Sequence, residues 1–331
     1  MQWQLDQGDA LEVLKGYPSE AVHCVVTSPP YWGLRDYGDE GQLGMEPTPD
    51  EYINHLVDIF REVRRVLRKD GTLWLNLGDS YAGSGRGMNG DGTAGVMRSG
   101  KQISNHGSIV SLGEKKHLVD AGLPRKNLVG IPWRVALALQ ADGWILRSDI
   151  IWSKPNPMPE SVKDRPTRAH EYIFLFAKSQ RYYYDAHAIA EPAKCPEDDL
   201  RRIRAQHEGN KSVATAQRNG LRKRGRSMES IQIGRNKRTV WTVTPAQYRE
   251  AHFATYPPRL IEPCILAGSP EGGTVLDPFA GSGTTLLTSL RLGRNAVGIE
   301  LNPEYVEIAC RRIYNDAPLL NPRGTLFGGA S

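Results

Sequence analysis

Cysteine is scarce in this chain of 331 residues, and the four present, Cys24, Cys195, Cys264 and Cys310, show no paired C-x-x-C spacing. Structural zinc sites and disulfide-stapled secreted scaffolds need such pairs or a higher cysteine density, so reduced and mostly buried thiols are expected. Long apolar runs are missing as well: no stretch approaches the roughly 20 residues of a membrane helix. The start, Met1 to Asp6, lacks the basic and apolar regions of a signal peptide, which points to a cytoplasmic protein with no membrane partner. What remains is a chain long enough to bury a substantial core, as one large α/β domain or two.

Charge is unevenly spread. Residues 201 to 240 hold twelve Lys or Arg against two acids, Glu208 and Glu229, so this segment carries +10 and the remainder −5. A basic block in an otherwise acidic chain is the electrostatic footprint of a polyanion partner. Low apolar content and many Gln, Asn, Gly and Ser suit a segment that is flexible when free and ordered on nucleic acid. A second unusual stretch, Tyr81 to Gly113, has nine glycines and reads as a long surface loop, of the kind that serves as a lid or binding loop.

Elsewhere apolar periodicity alternates between strand and helix. Val22 to Thr27, Thr72 to Leu77, Trp144 to Trp152, Glu171 to Ala177, Thr274 to Asp277 and Asn295 to Glu300 read as strands. Helices are predicted over Glu51 to Arg68, stopped by Asp70-Gly71, over Pro132 to Ala141, over Arg259 to Ala267 and from about Gly283. Repeated β-helix-β order predicts an α/β fold with a mostly parallel sheet covered on both faces.

Two of the predicted strands end in chemistry. Thr27-Ser28-Pro29-Pro30-Tyr31-Trp32 places a hydroxyl, two prolines and two aromatics after an apolar run. Proline fixes φ and has no N–H, which makes the turn rigid and leaves its carbonyls free to accept. The Ser28 hydroxyl and the Pro29 carbonyl can both accept from one exocyclic NH₂ while Tyr31 or Trp32 stacks on the attached ring. The second is Asp277-Pro278-Phe279-Ala280-Gly281-Ser282-Gly283-Thr284-Thr285, leaving a strand for a helix with glycines that allow close backbone approach. Leu286 stands where a dinucleotide fingerprint wants a third small residue, and the lysine of a phosphate loop is absent. With Glu300 ending the next strand, a ligand with a ribose and no phosphate fits.

These segments resemble S-adenosylmethionine-dependent DNA amino-methyltransferases, the N4-cytosine and N6-adenine family: Thr27 to Trp32 is similar to their catalytic motif and Asp277 to Thr285 to their methyl-donor motif. Gln7 to Leu11 is similar to the segment whose Asp approaches the donor adenine, and His252 to Pro258 to the segment around its methionine end. The resemblance implies a seven-stranded, Rossmann-like methyltransferase sheet in the circularly permuted motif order of the beta subgroup. It implies catalytic roles for Ser28, Pro29, Pro30 and Tyr31, and S-adenosylmethionine contacts from Asp9, Thr27, His252, Phe253, Asp277, Pro278, Phe279, Gly281, Gly283, Thr284 and Glu300, with no metal. Residues 1–184, containing a glycine-rich loop at 81–126, form the catalytic half and 241–331 the donor half, with target recognition by a basic insertion at 185–240. Double-stranded DNA with a flipped base near Trp32 is the implied partner; the basic insertion lies outside the resemblance, and its charge is what suits Arg222, Lys223, Arg224 and Arg226 to clamp phosphates. A second copy of the chain and a cognate restriction nuclease are partners the family also allows.

Ser at the first motif position favours cytosine N4 in this family, with adenine N6 as the alternative. RNA or protein-amide methylation and an inactive DNA-binding module are the remaining readings, and the basic insertion argues against a protein substrate. C5-cytosine chemistry needs a cysteine nucleophile. The Pro263-Cys264 pair lies in a helical run, so core burial is expected for Cys264.

Overall fold

The computed structural model describes residues 1–33, 41–82, 122–192, 234–245, 256–316 and 326–327. Contacts divide the chain into two compact units, Met1–Tyr184 with Thr239–Ser331, and Asp185–Arg238.

In the larger unit the strands are β1 (Trp3–Gln7), β2 (Val22–Thr27), β3 (Leu67–Leu77), β4 (Ile145–Ser153), β5 (His170–Ala177), β6 (Val240–Thr242), β7 (Thr274–Asp277) and β8 (Asn295–Glu300). The helices are α1 (Ala10–Lys15), α2 (Pro49–Val66), α3 (Ile131–Ala141), α4 (Pro258–Gly268), α5 (Thr284–Arg291) and α6 (Pro303–Asp316). One sheet takes the order β1-β8-β7-β2-β3-β5-β4-β6. Only the β3–β5 and β5–β4 pairs are antiparallel, so β5 alone runs against the rest. The sheet has eight strands where seven are expected; the extra one is the three-residue β6, which joins the β4 edge because Trp241 is buried against Trp74, ring centroids 6.4 Å apart. Val240 therefore opens this strand.

Helix α2 shows how local sequence sets an element. Thr48 caps it by accepting from the Glu51 N–H at 3.2 Å, Pro49 occupies the first turn, Asp50 and Glu51 complement its positive end, and Arg64 and Arg65 its negative end. Tyr52, Leu56, Ile59, Phe60 and Val63 recur at helical spacing and are buried. The helix stops two residues before the predicted Arg68, and β3 begins at once, running through Asp70-Gly71. Gly71 is no stop signal: a Cβ there would lie 2.5 Å from Leu67 Cγ, and the β2–β3 register shifts beside it.

Side chains on alternate sides of β2 and β3 feed two cores. Val25, Leu73, Leu75 and Leu77 pack with Leu14, Leu56, Phe60 and Leu139. On the other face Gly268 of α4 meets Cys24, Thr72 and Trp74, too closely for any side chain at that position. Trp3, Leu286, Leu290, Ala309 and Ile313 form a further cluster under α5 and α6. No described helix is long and apolar enough to cross a membrane.

The smaller unit is described at 185–192 and 234–238. There Glu191 and Arg235 pair as an antiparallel bridge, and the Glu191 carboxylate accepts from the guanidinium groups of Arg235 and Arg238 at 3.2 and 2.9 Å.

Candidate active site

Strand direction decides which residues meet. β1, β8, β7, β2 and β3 are parallel, so all five carboxyl ends reach one edge of the sheet. β4 shares that direction and delivers Ser153 and Lys154, whereas antiparallel β5 delivers its amino end, His170 and Glu171. Asp9, Ser28, Asp79, Lys154, Glu171, Asp277 and Glu300 thus converge on one edge, where ligands of open α/β sheets bind.

The turn after β2 is held from three sides. Tyr52 donates its hydroxyl to the Pro30 carbonyl at 2.7 Å, which removes that carbonyl from ligand duty. Pro29 is buried, while Ser28 and Tyr31 are half-buried. The Tyr31 ring lies on Gly78: a Cβ at Gly78 would sit 2.5 Å from Tyr31 Cε2. The Tyr31 hydroxyl is 2.8 Å from Glu171 Oε2, 3.2 Å from Asn76 Oδ1 and 3.4 Å from Ser28 Oγ. Burial, then the neighbouring Glu171 charge, push the Tyr31 phenol well above its ordinary pKa, so it is a neutral donor. Glu171 also takes Lys154, whose ammonium stands 4.2 Å above the Trp152 ring.

Trp32 is a correction. It was expected against DNA, or stacked on the base as an alternative to Tyr31, but it is 3% exposed and packs in the core under α2. Its indole N–H donates to the Glu46 carbonyl at 2.9 Å. An amphipathic ring beside a buried helix face is worth more there than in solvent. Tyr31 is left as the aromatic of the turn.

The donor motif has a buried hub. Asp277 Oδ1 accepts from the Thr27 hydroxyl at 2.6 Å and the Phe279 N–H at 3.1 Å; Oδ2 accepts from the Thr285 hydroxyl at 2.5 Å and the Tyr256 hydroxyl at 3.0 Å. Four donors fill the carboxylate's four acceptor positions, and Asp277 and Thr27 are 1% and 0% exposed. Both are expected to touch the donor, and their hydrogen bond ties the donor turn to the catalytic turn. Burial raises the Asp277 pKa despite these donors.

Glu300 is half-buried, with Oε2 accepting from Gly281 N–H at 2.7 Å and Oε1 from Asn302 N–H at 2.9 Å. Gly281 has φ +52°, and nothing lies within 4 Å of a Cβ built on it, so the loop leaves open space over a fixed carboxylate. Gly283 (φ +77°) serves packing: a Cβ there would meet Ala309 Cβ at 2.8 Å, so the glycine lets α6 approach closely. Gln7 pairs with Glu300, which brings exposed Asp9 alongside, although Asp9 also caps α1 by accepting from the Glu12 N–H at 3.0 Å. Two carboxylates and open backbone suit a ligand with hydroxyls and an uncharged ring. Phe279 is half-buried at this edge, and Pro278 and Thr284 are buried, the Thr284 hydroxyl accepting from Arg312 at 3.2 Å. Among the described residues no His, Cys, Asp and Glu cluster could hold a metal ion.

Asn76, Asp79 and Glu171 carry no role in the sequence reading, and Tyr256 enters it only as part of the His252 to Pro258 segment. The signal for two of them was present: Asn76 interrupts an otherwise apolar strand and Glu171 opens one. Asp79 accepts from the N–H groups of Gly130 and Ile131 at 3.0 and 3.1 Å, capping α3, which has no cap of its own. Cys264 is fully buried, its thiol directed at the Leu260 carbonyl, as expected of a core residue. His252, Phe253, Arg222, Lys223, Arg224, Arg226 and the glycine-rich loop from 83 lie outside the described residues.

Residues 22–311 match a family model described as DNA methylase. The type II methyltransferase M.SmaI of Serratia marcescens is 47% identical over 306 residues, covering 92% of this chain and 89% of the relative. M.Cfr9I of Citrobacter freundii is 46% identical, with 94% and 88% covered. Two solved structures share the fold. A Thermus thermophilus protein described as a putative DNA modification methylase, complexed with S-adenosyl-L-methionine, has a TM-score of 0.56 at 24% identity, covering 97% of this chain and 98% of its own. PvuII DNA methyltransferase, described as cytosine-N4-specific, has a TM-score of 0.60 at 18% identity, with 98% and 89% covered.

Proposed function

This chain belongs to the DNA methylase family of N4 and N6 amino-methyltransferases, and from that premise we propose that it methylates cytosine N4 in double-stranded DNA, with S-adenosylmethionine as donor. The observation that carries the reading is the 2.6 Å hydrogen bond from Thr27 to Asp277. It locks the amine-binding turn, which starts at the next residue, to the donor turn on the neighbouring strand, although 250 residues separate them.

Asp9 and Glu300 are the residues to hold donor hydroxyls and adenine, with Phe279 and the backbone around Gly281 beside them. When bound, S-adenosylmethionine supplies an electrophilic methyl group, its carbon–sulfur bond breaking as a carbon–nitrogen bond forms and the sulfonium leaving as a thioether. Ser28 accepts an N–H of the target amine. That draws the nitrogen lone pair out of ring conjugation and orients it, so positioning and electrostatics carry the rate. Tyr31 offers the stacking face that offsets part of the few kcal/mol needed to flip a base. Once alkylated, the nitrogen is acidic and gives its extra proton to Ser28 or water. The choice of cytosine N4 over adenine N6 rests on Ser28 at the first motif position. The segment 185–240, with Arg222, Lys223, Arg224 and Arg226, supplies phosphate contacts and target readout.

The test is methyl incorporation from labelled donor into unmethylated duplex DNA, single-stranded DNA and RNA by the purified chain. Label entering DNA, lost in Ser28→Ala while donor affinity is kept, is the expected result. Label entering RNA alone would overturn the substrate.

A further inference from the structure

Behind the catalytic turn stands a polar chain that belongs to neither motif. Asn76 comes from β3, Glu171 from the reversed strand β5 and Lys154 from the end of β4. Glu171 and Lys154 have side chains only 15% and 20% exposed. The direction of the hydrogen bonds along this chain is set at its far end. An ammonium can only donate, and a carboxylate paired with it only accepts. Tyr31 has one hydroxyl proton, and its shortest acceptor is charged Glu171 Oε2 at 2.8 Å, ahead of neutral Asn76 Oδ1 at 3.2 Å. Asn76 is itself oriented by donating to the Tyr172 carbonyl at 3.0 Å. With that proton committed, Tyr31 oxygen can only accept from Ser28 Oγ, 3.4 Å away. Ser28 likewise has one proton. Once it points at Tyr31, the serine presents lone pairs alone to whatever lies on its other side.

We infer that Glu171, anchored by Lys154, is a positioning residue: acting through Tyr31, it fixes Ser28 as an obligate acceptor and so selects an exocyclic amine over a carbonyl. The inference rests on the amine-methylation reading above. It gives a role to an ion pair placed at the end of a largely apolar strand, where partial burial of two charges costs desolvation. The neutral phenol of half-buried Tyr31 fits its place as the relay of that polarity. Replacing Glu171 with Gln keeps the shape and reverses the logic. The amide can donate to Tyr31, the tyrosine proton then turns to Ser28, and the serine proton meets the N–H of the amine.

The experiment is single-turnover methyl transfer to unmethylated plasmid DNA by the full chain, with donor affinity measured separately by calorimetry. Glu171→Gln is expected to slow the chemical step by about 10- to 100-fold, within the range general positioning effects reach, with donor Kd within about twofold. Tyr31→Phe cuts the same chain, so the double variant should be no slower than Tyr31→Phe alone. Glu171→Asp keeps an acceptor and should recover part of the rate lost by Glu171→Gln. A normal rate in Glu171→Gln, independent multiplication of the two single effects, or Glu171→Asp no faster than Glu171→Gln overturns the inference while leaving the function standing. A wild-type chain inert on DNA overturns both.

Discussion

Replacing Thr27 with Val deletes one hydroxyl from the fully buried hub and keeps the side-chain shape. The Thr27 oxygen is 2.6 Å from Asp277 Oδ1, and both residues are closed to solvent. A hydrogen bond to a charged group contributes about 1.5–3 kcal/mol, and no water can replace the lost donor. With a denaturation slope near 3 kcal/mol/M, the urea midpoint should fall by roughly 0.5–1 M. The pH dependence separates this cause from simple loss of packing. Burial raises the folded-state pKa of Asp277 above its unfolded value, so the group favours folding most in acid, and that contribution is lost as pH rises through the folded pKa. Removing a donor to the ionised form raises the folded pKa further and deepens the loss on the alkaline side. Urea titrations at about pH 8 and about pH 4.5 should therefore show the full deficit at the first and a smaller one at the second. A deficit of equal size at both, or none, would refute the assignment of Asp277 as an ionised hub.

Three further outcomes follow from the geometry. Gly78→Ala puts a methyl group 2.5 Å from the Tyr31 ring, so methyl transfer should fall at least about tenfold with the melting temperature little changed, because a small displacement at the reacting centre is costly. Trp32→Ala should cost about 3–5 kcal/mol of stability in denaturant unfolding and leave the salt dependence of DNA affinity unaltered, as befits a core residue. Changing Arg222, Lys223, Arg224 and Arg226 together to Gln should weaken DNA binding and reduce the slope of log affinity against log salt by roughly 3–4 in fluorescence anisotropy, since each phosphate contact contributes about 0.9; an unchanged slope would remove them from the interface.

Local signals were legible where one stretch of chain decides the outcome. Val22 to Thr27, Thr274 to Asp277 and Asn295 to Glu300 form strands with the bounds that apolar runs and flanking turns suggest. The end of α2 departs from expectation because Asp70-Gly71 stops helices in most contexts, whereas here strand pairing with β2 captures it. The site was legible as a set of strand ends, since parallel β-helix-β order places carboxyl ends together. What each residue does at that edge was not. Trp32 and Tyr31 are neighbours in an aromatic pair, and only the tertiary positions of Glu46 and Glu171 send one into the core and leave the other in the turn. Asp277 reads as a ligand contact, and nothing local shows that its carboxylate also gathers Thr27, Tyr256, Phe279 and Thr285. Glu171 enters only because β5 runs backwards, a property of topology that no local pattern carries.

Whether Ser28 on this edge directs a methyl group to an exocyclic base amine is read out by expressing the chain in a methylation-free host and analysing digested DNA nucleosides by mass spectrometry. N4-methylcytosine in DNA from the host expressing the wild-type chain, and its absence with Ser28→Ala, is the predicted result. N6-methyladenine would contradict the choice of base, and C5-methylcytosine or unmodified DNA would contradict amine methylation through Ser28.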